Sequence, residues 1–134
     1  MRFEDKHFDK FDFSKEQIKQ YFANALRDLD IAKKDKINEV RFNYAYTSLI
    51  KGGIALLSSY GRRVKSLPGH HMKIIEKMSQ ILKDDTINTI GNLMRSKRNI
   101  DLYSGGIDVT EKECKEFVEF SEKVLDKVKK LLGF

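Results

Sequence analysis

Arg98 stands four residues after Met94 and eight after Ile90, so its guanidinium hangs on or beside an apolar helical stripe. A charge so placed is costly unless it is paired or faces a cleft. An internal ion pair with Asp101, three residues on, would meet that cost; so would a ligand site. The neighbouring residues favour the site. Asn99 and Tyr103 are four apart on one helix face, and Arg95 and Lys97 add positive charge. The set combines a phosphate anchor (Arg98), a hydrogen-bonding amide (Asn99) and a hydroxyl that can donate a bond or stack on a base (Tyr103). That chemistry suits a nucleotide or RNA.

His70 and His71 follow Pro68-Gly69 at the start of a helical pattern. They read first as polar residues of a turn. Their second reading is functional, since an imidazole at a helix N-terminus feels the positive end of the dipole, tends to stay neutral and can then accept a proton. Adjacent histidines do not readily share one metal, His7 is remote and Cys114 is isolated in a helical stripe, so neither a metal nor another cofactor is predicted. Gly52-Gly53 lacks the Lys-Ser/Thr that would make it a phosphate loop and lies inside a helix, where small residues permit close helix approach. The five tyrosines and nine phenylalanines are assigned mainly to core or interface.

Five helices must position these groups. Ser14-Lys15-Glu16-Gln17 fits a capping box and opens a first helix running to about Lys34, with Ile18, Tyr21, Phe22, Ala25, Leu26 and Leu29 in one stripe. The second, from about Asp35 to Tyr60, is apolar around most of its circumference and is therefore the central helix; Gly61 closes it. Ser66-Leu67-Pro68-Gly69 is a turn, and a third helix covers about His70 to Leu82. The fourth runs from Asp84 or Asp85 to Tyr103 and stops at Ser104-Gly105-Gly106. A second capping box, Thr110-Glu111-Lys112-Glu113, opens the last helix, whose apolar residues recur at three and four. Nothing reads as strand. Residues 1–13, with Phe3, Phe8, Phe11 and Phe13 among charges, form an arm laid against the body or a partner, and residues 14–134 form one all-α, antiparallel up-and-down bundle of about five helices.

A chain of 134 residues with 40% hydrophobic and 34% charged residues is one globular domain. The lone cysteine has no disulfide partner, which fits a reducing cytoplasm, and no stretch is apolar enough to cross a membrane. Between Gly61 and Asn99 lie nine basic and three acidic side chains, the whole of the +6 net charge. That clustering predicts one positive face, as a polyanion partner would require.

The order of helices, the Pro68-Gly69-His70-His71 turn, the run Arg95-Ser96-Lys97-Arg98-Asn99 with Tyr103, and the Thr110-started last helix together resemble the HEPN superfamily (higher eukaryotes and prokaryotes nucleotide-binding), in particular its small stand-alone prokaryotic members. The resemblance spans roughly Ser14 to Leu132. It implies RNA or nucleotide binding and a metal-independent endoribonuclease centre of Arg, a polar residue and His, commonly assembled across a homodimer in toxin and antiviral systems. It further implies a nucleotidyltransferase as a partner. Arg98 and Asn99 match the first two motif positions; Tyr103 stands where the shortest family spacing would place histidine. A phenol with a pKa of about 10 is a poor general base near neutrality, so this departure bears on cleavage and leaves binding intact. A non-catalytic dimeric interaction module and a purely structural bundle remain as alternatives.

Overall fold

The computed structural model describes residues 1–104 and 108–134, with side chains described at all of these except 100–104. Helix α1 (Lys15–Lys34) begins where the first capping box predicts: Ser14 Oγ accepts the Gln17 amide at 3.1 Å, and Gln17 Oε1 accepts the Ser14 amide at 2.8 Å. It ends against Asp35, whose Oδ1 accepts the Ile37 amide at 2.9 Å. This side-chain turn delays α2 (Asn38–Ser59) to a start three residues later than the apolar pattern predicts.

Gly61, with φ +67°, turns the chain out of α2 and into a short strand. Helix α3 (His70–Leu82) has the predicted bounds, entered through Gly69 at φ +81° and left through Lys83, a non-glycine residue at φ +53°. Asp84 Oδ1 accepts the Thr86 amide at 3.0 Å at the start of α4 (Asp85–Ser104). The second capping box opens α5 (Glu111–Leu132), which closes on Gly133 at φ +74°.

The result is the expected all-α bundle of five helices. α2 is the axis, packed against each of the other four helices. Two glycines let it do so. A Cβ on Gly52 would collide with the Leu125 side chain of α5, and one on Gly53 would collide with Ile74 and lie 2.6 Å from Met78 Sδ of α3. The core gathers Phe42, Tyr46, Leu49 and Leu56 of α2 with Ile75 and Met78 of α3, Met94 of α4 and Leu125 of α5. Ser121, fully buried on α5, donates to the Ala45 carbonyl at 2.8 Å and so brings no orphaned hydroxyl into that core.

One feature departs from the expected absence of strands. The arm pairs with the body as a two-stranded antiparallel ribbon, β1 (Phe8–Lys10) against β2 (Arg62–Val64), with Phe8 opposite Val64 and Lys10 opposite Arg62. Three-residue strands are too short to write a period of two into the sequence. Phe8 is buried, with Phe3 edge-on to it at 5.2 Å between ring centres. Beneath them lies Lys77 of α3, only 2% exposed, which donates to the Arg2 carbonyl at 2.5 Å and to Glu4 Oε1 at 3.2 Å. The ammonium is tolerated in the interior because the arm supplies its acceptors.

Candidate functional site

Three helices converge near the C-terminal half of α4. Arg98 is half-buried, and its guanidinium lies over the ring of Tyr46 of α2, 5.3 Å from the ring centre. That cation–π contact partly offsets the cost of drawing the charge out of water. Tyr46 is fully buried; its oxygen is 2.9 Å from Nδ1 of His71, in the first turn of α3. Arg95, one turn earlier on α4, is half-buried and donates through Nε to Asn92 Oδ1 at 3.2 Å.

The protonation states follow from the surroundings. Burial pushes the Tyr46 phenol up to about 12, against an opposing pull from Arg98 and then Arg95. Burial first, and then the charges of His70, Arg98 and Arg95, bring His71 down to about 4. Near neutrality, therefore, Tyr46 keeps its proton and His71 is uncharged. The buried hydroxyl has no other acceptor among the described residues, so Tyr46 donates to His71 Nδ1. The remaining imidazole proton then sits on Nε2, which makes His71 a donor at the site. His70 is oriented differently, with Nδ1 3.0 Å from the Leu67 carbonyl and its ring 4.5 Å from that of His71.

Of the groups singled out from the sequence, Arg95, Arg98 and His71 are brought together, with His70 edge-on to His71. Lys97 points across to α5, where its ammonium is 3.8 Å from Glu113 Oε2. Asn99 is exposed, one turn beyond Arg95. The side chains of Tyr103 and of Asp101, the suggested internal partner of Arg98, lie outside the described residues. Among the described residues no carboxylate is within ion-pair distance of Arg98. Tyr46 is the member that sequence reasoning missed; Phe42, Tyr46, Ile50, Gly53 and Leu57 recur at three and four and mark the buried face that holds it.

The single positive face expected from the Gly61–Asn99 segment is divided. Lys77 turns inward as the anchor of the arm, and Arg63, Lys65, Lys73 and Lys97 each face a carboxylate within 4 Å. The positive charge left without such a partner among the described residues includes Arg95 and Arg98. No three His, Cys, Asp or Glu side chains among the described residues are grouped to hold a metal, and none of the described helices is long and apolar enough to cross a membrane. Two arginines, a neutral imidazole N–H and an exposed amide form a donor-rich surface suited to a phosphate or another oxyanion. No protein-family model, curated protein or solved structure matches the chain.

Proposed function

We propose that the chain binds the phosphates of RNA or of a nucleotide at Arg95, Arg98 and His71, as a HEPN-like protein. The observation that carries this reading is the guanidinium of Arg98 held over the Tyr46 ring beside His71, a charge kept half-buried with no carboxylate against it among the described residues. Asn99 extends the donor set along α4. A phosphate seated between the arginines and Nε2 of His71 adds negative charge where burial, and with it the charges of Arg98 and Arg95, now depresses the imidazole. Binding therefore raises the His71 pKa.

Binding is favoured over cleavage in this reading. Metal-independent scission requires a group that takes the ribose 2′-hydroxyl proton, and Nδ1 of His71 is occupied by Tyr46. The resemblance would assemble such a centre between two copies, and exposed Leu93 and Met72, on the two helices that carry the site, supply apolar area for that contact. Incubating the protein with total RNA in EDTA separates the outcomes. A saturable complex without new fragments is expected; fragments that disappear in Arg98→Ala would instead make the site a nuclease, and neither complex nor fragments would end the proposal.

A further inference from the structure

A second concavity lies under the arm, bounded by α1, α2, β2 and the start of α3, with a volume of about 290 Å³. Its walls are apolar, including Phe13, Tyr21, Ile54 and Ile74. Phe13 packs edge-on against Tyr21 at 5.8 Å between ring centres, so a residue of the arm closes the chamber against a residue of the bundle. Neither Arg98 nor Tyr46 lines it.

Its permanently charged side chains, Arg62 and Arg63, are of one sign. Arg62, Arg63, His70 and His71 line the cavity and no carboxylate does. The guanidinium of Arg62 rests over Phe3 at 5.2 Å, and Arg63 rests over Phe11 at 4.9 Å. Arg63 has Asp9 near it, with Oδ2 3.9 Å from Nη2, while Oδ1 of the same carboxylate is 3.7 Å from Lys65 Nζ. The Arg63 distance is not that of a formed hydrogen bond, and Arg62 spends one donor, Nη1, on the Gly61 carbonyl at 3.2 Å, so each guanidinium keeps N–H groups to offer.

Size and charge together select the ligand. The volume stands at the small end of ligand pockets, which run from ~300 to 1,000 Å³, and so admits one ring or a short alkyl chain but no polymer. Apolar walls take the body of such a molecule and the cationic rim takes an anionic head. We infer that this cavity binds a small organic monoanion with an apolar body, for which 3-phenylpropanoate is the model. Its lining differs from the Arg98 site, with His71 the residue the two have in common.

Two-dimensional amide NMR titrations of the full chain with 3-phenylpropanoate, 3-phenylpropanol and 3-phenylpropylammonium test the inference. The acid should bind about tenfold more tightly than the alcohol, as loss of one charge-assisted contact predicts, and the ammonium more weakly still. Shifts should centre on Ile54, Val64, His71 and Ile74. Ile54→Trp, which fills the chamber, should abolish the response with helicity retained. Should that variant fail to fold, Arg63→Gln, at an exposed position, should lower the affinity for the acid to about that for the alcohol. Equal binding of acid and alcohol, undiminished binding by folded Ile54→Trp or by Arg63→Gln, shifts centred on α4, or no saturation by about 10 mM would each overturn it.

Discussion

Tyr46 and His71 share one hydrogen bond, and the proton in it fixes the chemistry of both. His71 accepts a second proton only near pH 4 in the folded chain, against about 6.5 when exposed to water. Between those values the unfolded chain holds a proton that the folded chain lacks, so stability falls as pH drops from about 6.5 towards 4 and the full penalty is present below it. The imidazole is only half-buried, and solvent screening reduces that penalty to the order of 1 kcal/mol. Denaturant melts from pH 7 to 4 should show this slope in the wild type and a flatter one in His71→Gln, which can still accept from Tyr46. A charge that depresses His71 is removed in Arg98→Ala, so its imidazole resonances should titrate at higher pH there; an unchanged midpoint would place the guanidinium elsewhere. The sequence revealed Arg98, Arg95 and the two histidines as separate notes. Their meeting through Tyr46 was not legible, because the partner lies 25 residues from His71 on a face that reads simply as core.

The helices announce themselves locally, since capping boxes at Ser14 and Thr110 and the glycine at position 61 act within a few residues of where they stand. The arm does not. Its fixing point is a lysine whose two partners in the arm are 73 and 75 residues away, and a buried lysine on a helix looks in sequence like any other charge. Lys77→Met should free residues 2–11 while the bundle persists, read as fast amide exchange at His7, Phe8 and Phe11 with unchanged protection in α2 and α5. Protection retained along the arm would show that the aromatic packing of Phe3 and Phe8 holds it alone. The helix crossing is set by Gly53. Alanine there gains about 1 kcal/mol of helix propensity but meets Ile74 Cγ2, a branch fixed at Cβ that cannot swing aside. Overpacking of this kind costs ~1–3 kcal/mol, so Gly53→Ala should be destabilising by thermal melt, whereas a neutral or stabilising result would mean that α3 slides away easily.

Across the whole molecule the net charge of +6 is a weaker guide than its distribution. Surface pairs with Asp9, Glu76 and Glu113 neutralise much of the basic central segment, and the arm takes Lys77 out of solvent. What remains at α4 is a compact donor set beside a tyrosine ring, placed where α2, α3 and α4 meet. RNA binding at this face therefore depends on Arg98 as a phosphate contact. Its most direct test is fluorescence anisotropy of a labelled single-stranded RNA against wild type and Arg98→Ala over a salt series, with circular dichroism showing both folded. The predicted result is about a tenfold loss of affinity and a salt slope smaller by about one phosphate contact in the variant. Equal affinity and equal slope would contradict it.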